Sequence, residues 1–329
     1  MKRSAWCLAL LFSQLAVLAQ GPNGSGTYYR QADGKSGAEL KSALCGIISS
    51  GTVTRSYAQL WTDFKTTDKR SDGKVWDMYS SATNFVFGTD QDHGSHPEEG
   101  YSYNREHSFP NSWWGGTKDE AQYTDLFHLY PTDAFVNEKR SNFPFGETAG
   151  GSFTSTGDFS KLGNCTTTGY SGIVFEPNDE YKGDFARTYF YMVTRYEAVM
   201  STWGAAQRHT LDGSKYPGLK QWQLAMLMRW SQQDPVSQKE INRNRAVYSI
   251  QKNRNPFIDY PGLEQFIWGS GRQTPFSYDD YEGLLRVDGV RIDGAPTDDS
   301  VYSLSGQRVV EGTLRPGVYV RCGRKFVVK

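Results

Sequence analysis

Between Tyr103 and Pro110 the chain reads Tyr-Asn-Arg-Glu-His-Ser-Phe-Pro, and some thirty positions later comes Val136-Asn137-Glu138-Lys139-Arg140-Ser141-Asn142. A carboxylate thus stands beside an imidazole, with a neutral amide and a guanidinium on a second short segment. That is the kit of a single-metal phosphodiesterase: a general base, two oxygen ligands and a cation for phosphate. An imidazole titrates near pH ~6.5, so His107 can be neutral at working pH and take a proton from water. Glu106 and Asn137 are the expected metal ligands. Together they carry one negative charge, which leaves Mg²⁺ net positive and a good Lewis acid, with Mn²⁺ or Ca²⁺ as substitutes. Two-metal sites need several bridging carboxylates, and the motif lacks them, so one ion is expected. Taken singly, His107 reads as a structural histidine, Glu106 as a solvated strand carboxylate and Asn137 as a helix-surface amide; their combination points to chemistry.

Several elements must position these groups. Tyr101 to Phe109 has strand character and Pro110 stops it. Neighbours in a strand point to opposite faces, so bringing Glu106 and His107 to one phosphate requires a bulge or a strand end. Tyr130-Pro131-Thr132 reads as a helix start, with Thr132 as N-cap and Asp133 at the positive end of the dipole. That helix is expected to end by Phe143, since Pro144 disfavours helical geometry before it. On it Arg140 and Ser141 share a face with Asn137. Upstream, Leu40, Leu44, Ile47 and Ile48 recur at helical spacing, and Tyr57, Leu60, Trp61 and Phe64 mark a second helix. Lys74 to Tyr79 reads as a short strand, Asp90 to Gly100 as an acidic loop, and Trp113-Trp114-Gly115-Gly116 as a turn. A polar loop is expected over Gly146 to Gly172, and helices over Phe185 to Met200, Leu219 to Trp230 and Ser237 to Gln251.

The 329 residues leave room for one large domain and an appendage, and 37% hydrophobic with 14% aromatic content supports a substantial core rather than disorder. Lys2 and Arg3 precede the apolar run Ala5 to Leu18, and Val17-Leu18-Ala19 offers a cleavage site, so residues 1–19 read as an export signal and 20 to about 35 as a flexible mature N-terminus. Later apolar stretches are too short or too charged to span a membrane. The formal net charge of +0 falls to −2 without Lys2 and Arg3, which excludes a generic polycation. Cys45, Cys165 and Cys322 would remain; a Cys45–Cys165 disulfide and three unpaired thiols are both open. After Trp268 the composition changes. Residues 270–299 read as a linker, and strand-like pieces over 300–329 read as a small β tail.

Tyr103-Asn104-Arg105-Glu106-His107 with Pro110, Asp125 to Pro131, and Asn137 with Arg140-Ser141-Asn142 resemble the bacterial endonuclease I family, secreted or periplasmic nucleases with a ββα-metal (His-Me finger) site. The likeness runs from Lys35 to Gly269. It continues through Phe175-Glu176-Pro177, Lys182-Gly183-Asp184, Ala186-Arg187 and Gln251 to Asp259. It implies an α+β fold, a ββα-metal core within a mainly helical domain. It also implies His107 as general base, Glu106 and Asn137 on Mg²⁺, and 5′-phosphorylated products from DNA and often RNA. Some members place an arginine between the histidine and the ligand asparagine. Here none lies between Arg105 and Arg140, so the phosphate role falls to Arg140 or Arg187. Arg105, Lys182 and Arg187 are further candidates for the phosphate track, and Asp125 and His128 for orienting His107 or a metal-bound water. The tail, from Val301 to Val309, Leu314 to Tyr319 and Lys325 to Lys329, resembles the sorting domain of type IX secretion cargo, which implies the secretion machinery as partner.

Two other features carry less. His93 and His96 form a His-x-x-His beside acids, a motif that serves either as a metal site or as a solvated loop. Trp113-Trp114 serves either to stack bases or to pack a core. The rival reading is a catalytically silent surface protein reusing the fold, and the intact Glu106-His107-Asn137 set speaks against it. The His-Glu-x-x-His helix of a zinc peptidase is absent from the sequence.

Overall fold

The computed structural model describes residues 21–203, 209–280, 301–303, 308–309, 317–321 and 324–328. The expected signal (1–19), Cys322 and most of the linker therefore lie outside the described residues. Two compact units divide the chain, residues 1–285 and 286–329.

The larger unit mixes helices with two small sheets. In chain order come α1 (Gly37–Ser49), α2 (Leu60–Thr67), β1 (Tyr103–His107), β2 (Leu129–Asp133) and α3 (Ala134–Arg140). They are followed by β3 (Thr148–Thr154), β4 (Lys161–Cys165), β5 (Ile173–Glu176), α4 (Lys182–Arg195), α5 (Gln221–Gln233), α6 (Gln238–Gln251), α7 (Pro256–Asp259) and α8 (Leu263–Ile267). α4 is buried on every side, and aromatic rings fill the space around it. Phe145 lies 4.5 Å from Phe185 and 5.3 Å from Tyr189, centroid to centroid.

β1 and β2 pair antiparallel without a bulge, Glu106 opposite Tyr130 and His107 opposite Leu129, and α3 follows β2 directly. The expected helix start at Tyr130-Pro131-Thr132 is therefore strand. Pro131 is accommodated because β1–β2 is a two-stranded sheet, where an edge strand tolerates a missing donor. The cap is Asp133: its Oδ1 accepts from Val136 N at 2.9 Å while Oδ2 accepts from Gly100 N at 2.6 Å. Asp133 N in turn donates to Asp77 Oδ2 at 2.9 Å, tying the strand–helix junction to the segment before it.

Three further expectations are corrected. The loop expected over Gly146 to Gly172 contains two strands, β3 and β4, which with β5 just after it form a three-stranded antiparallel sheet, β3-β4-β5. Its Gly and Thr content hides the strands, and Gly150 and Gly151, at φ of 83° and 110°, break the register of β3. Lys74 to Tyr79 is irregular apart from a single bridge between Lys69 and Val75. The stretches 21–35 and 270–280, expected to be loose, are anchored. Tyr29 is fully buried with its hydroxyl on Asp259 Oδ2 (2.8 Å), and past residue 269 Phe276 and Tyr278 are buried, with Phe276 hydrogen-bonded to Gly34 and Lys35.

Cys45 and Cys165 are both free thiols, so the Cys45–Cys165 disulfide is not formed; the Cys45 Sγ instead donates to Arg195 O at 3.2 Å. No helix among the described residues is long and apolar enough to cross a membrane. The smaller unit contains β6 (Val301–Ser303), β7 (Arg308–Val309), β8 (Gly317–Arg321) and β9 (Arg324–Val328), antiparallel in the order β7-β6-β8-β9.

Candidate active site

A cleft of about 390 Å³ opens where β1 ends, lined by Tyr57, Arg105, Glu106, His107, Asn137, Ser141 and Asn142 among others. The period-two alternation of the strand sorts its side chains. Asn104 and Glu106 meet α3: Asn137 Nδ2 donates to Asn104 Oδ1 at 2.7 Å, and Arg140 ion-pairs with Glu106. Arg105 and His107 meet Tyr57 instead, with the Arg105 guanidinium 3.6 Å from its ring centre and the imidazole stacked at 6.0 Å. Glu106 and His107 reach one cleft because His107 is the last residue of the strand, so both faces open at its end. The expected strand end is present and the bulge is absent. After α3, Ser141 takes φ 52°, unusual for a residue with a Cβ, and the turn brings Ser141 and Asn142 to the cleft wall.

His107 is only 7% exposed and its Nε2 lies 2.9 Å from Tyr123 O. Burial, the neighbouring His128 ring and the Arg105 and Arg140 charges push its pKa down to about 3, so the ring is neutral at pH 7. Burial raises the pKa of Glu106, opposed by the Arg140 charge and by hydrogen bonds from Tyr79, Arg140 and Asn137.

Several expected roles change. Arg140 is fully buried, its guanidinium turned onto Glu106, His107 O (3.0 Å), Ser108 O (2.5 Å) and Tyr189, and it does not line the cleft. The same holds for Arg187, 1% exposed and bidentate on Glu240 at 2.6 and 2.9 Å. Lys182 pairs with Glu176 and Asp179, both at 2.6 Å, as a salt-bridged helix start. Asp125 does not touch His107; it accepts from Gln251, Tyr191 and Tyr196 and faces Arg195. His128 packs its ring 5.5 Å from that of His107, and its own Nε2 is 2.6 Å from Gln122 O. His96 bridges Asp92 and Glu138 while His93 is exposed, and no cluster of three or more His, Cys, Asp or Glu suited to a metal occurs among the described residues. Trp113 and Trp114 are buried core residues.

Sequence reasoning missed Asn104, Tyr57, Tyr79 and Tyr123. Asn104 was findable, since it sits two positions from Glu106 and so shares its face; the tyrosines come from other segments of the chain and carry no local signal.

The Endonuclease I family model matches residues 36–262. An extracellular ribonuclease of Bacillus amyloliquefaciens is 36% identical over 259 residues, covering 74% of this chain and 78% of its own. An extracellular ribonuclease of Bacillus subtilis (strain 168) is 36% identical over 250 residues with the same shares. An extracellular deoxyribonuclease of Aeromonas hydrophila is 27% identical over 140 residues, 41% of this chain and 49% of that one. A family match over most of the chain, with glutamate, histidine and asparagine meeting in one cleft, makes this protein a member of the Endonuclease I family, a nuclease that hydrolyses phosphodiester bonds.

Proposed function

We propose that the protein is an exported endonuclease that cleaves DNA and RNA with little sequence preference, using one divalent cation and His107 as general base in a ββα-metal (His-Me finger) site. One observation carries this reading: the 2.9 Å hydrogen bond between His107 Nε2 and Tyr123 O. A carbonyl only accepts, so Nε2 holds the ring proton and Nδ1 keeps the basic lone pair. The ring is buried and neutral, and an arriving phosphate anion raises its proton affinity at the moment it is needed.

Glu106 and Asn137 are the residues that would hold the cation. Asn137 Nδ2 is engaged by Asn104, so its carbonyl Oδ1 is the atom left for a hard cation. One carboxylate and one amide fit an ion that completes its shell with water and phosphate, such as Mg²⁺, with Mn²⁺ or Ca²⁺ as substitutes. Bound there, the ion would stabilise charge growing on the phosphate and the departing 3′ oxygen. The chain's own part is to orient a water, remove its proton at His107 Nδ1 and leave a 5′-phosphate on the product. Arg105, the one cation lining the cleft among the described residues, replaces Arg140 and Arg187 as the phosphate-binding candidate. Its guanidinium is fixed over Tyr57 and Trp61 at 3.6 and 4.3 Å.

Activity on both nucleic acids is supported by relatives named as ribonuclease and deoxyribonuclease. Export is supported by the N-terminal signal-like stretch and by relatives named extracellular. We assign residues 300–329 the role of a sorting tail for the secretion machinery.

The test compares wild type and His107→Ala on plasmid DNA and on RNA, with Mg²⁺ and with EDTA. Cleavage should stop in EDTA and fall ~10²–10⁴-fold in the variant, with nucleic-acid binding kept. Equal turnover by His107→Ala would remove this residue from the reaction.

A further inference from the structure

The geometry points to Tyr79 as a positioning residue that, together with Arg140, clamps one oxygen of Glu106 and so presents the other to the cation; this rests on the reading of Glu106 as a ligand. The Tyr79 hydroxyl donates to Glu106 Oε1 at 2.8 Å, and Arg140 donates to the same atom. A carboxylate held at one oxygen by two donors from different directions cannot rotate about its Cγ–Cδ bond without breaking one of them. The orientation of its other oxygen is then fixed, with Asn137 beside the carboxylate, which lowers the entropy lost on binding an ion.

Tyr79 is built to hold that position. Its backbone N donates to Asp77 Oδ1 at 2.7 Å, while Asp77 Oδ2 accepts from Asp133 N at the junction of β2 and α3. Its carbonyl accepts from Ser160 Oγ at 2.8 Å. The fully buried ring packs against Phe175 (4.8 Å), Phe185 (5.8 Å) and Phe145 (6.4 Å). The phenol is therefore fixed to the same frame that carries Asn137, although it lies far from the motif in sequence. Arg140 complements it by donating also to the carbonyls of His107 and Ser108, which fixes the strand end.

The experiment titrates Mn²⁺ and Mg²⁺ into full-length wild type, Tyr79→Phe and Glu106→Gln by calorimetry, without nucleic acid, and measures unfolding of each in EDTA. Tyr79→Phe keeps the ring and removes only the hydroxyl. Its metal affinity should fall about ten-fold or more, with EDTA unfolding close to wild type and activity partly rescued at high metal. Wild-type affinity in Tyr79→Phe, with binding lost in Glu106→Gln, overturns the clamp alone. Wild-type affinity in Glu106→Gln overturns the ligand assignment beneath it. Should Tyr79→Phe fail to fold, Arg140→Lys gives the same readout: weakened metal binding supports the clamp, and wild-type affinity overturns it.

Discussion

The cleft at the end of β1 and the interior around Asp125 are made of the same side-chain types, carboxylate, guanidinium, amide, tyrosine and histidine. Around Asp125 the carboxylate, guanidinium, amide and tyrosines satisfy one another. Gln251 Nε2 and Phe127 N donate to Oδ1 at 2.7 and 3.0 Å, Tyr191 and Tyr196 to Oδ2 at 2.9 and 2.8 Å, and Arg195 sits 3.3 Å away. Burial pushes the Asp125 pKa up, but the Arg195 charge and these donors hold it below the usual carboxylate range. Arg187 with Glu240 is a second such closed set. At the cleft, by contrast, Glu106 is gripped through Oε1 and His107 through Nε2, and both residues line an open space together with Asn137. Residue type does not separate a structural network from a site. What separates them is whether the surrounding donors and acceptors use up the polar atoms.

The sharpest test of that contrast removes one arginine from each region. Arg140→Ala and Arg187→Ala each leave a buried carboxylate without its cation, and each should cost about 3–5 kcal/mol in denaturant unfolding. Only Arg140→Ala should also weaken metal binding; a matching loss in Arg187→Ala would erase the distinction.

A smaller effect concerns acid. Burial lowers the His128 pKa to about 4 despite the pull of Asp125. Between the unfolded value near 6.5 and 4 the unfolded chain binds the extra proton, so this contribution is present above pH ~6.5 and drains as pH falls towards 4. The slope is ~1.4 kcal/mol per pH unit at most, and His128→Asn should flatten it in EDTA; an unchanged slope would reassign it.

Arg105→Ala should raise KM on DNA and RNA alike and reduce the salt slope of binding by about one, with a stability change of about 1 kcal/mol. Lys182→Ala, which removes ion pairs with the shielded Glu176 and the exposed Asp179, should leave the salt slope as it was. If the two variants exchanged phenotypes, the phosphate track would run past Lys182.

Much of this was legible in the chain. The helices α1, α2 and α4 follow from apolar spacing; the structure adds the capping box of Ser237 and Glu240 that starts α6. Glu106, His107 and Asn137 stand out as residue types at a spacing that suits one cation, because chemistry requires particular functional groups wherever the fold puts them. The strands β3 to β5 were not legible. Glycine- and threonine-rich segments take strand form only when a neighbour supplies the hydrogen bonds. The N-cap of α3 was misplaced by a single residue for a similar reason: Asp133 is chosen over Thr132 by the strand pairing that ends there.

The sequence by itself determined which atoms were available for catalysis, since functional groups are covalent facts. Tertiary structure decided which of them face a cleft. Arg140, Arg187 and Arg105 are identical in formula. Two are enclosed by carboxylates and backbone carbonyls contributed from distant segments, and the third is laid across Tyr57 at the cleft wall. Hydrogen-bond saturation depends on neighbours in space, so no local pattern of residues could have told them apart.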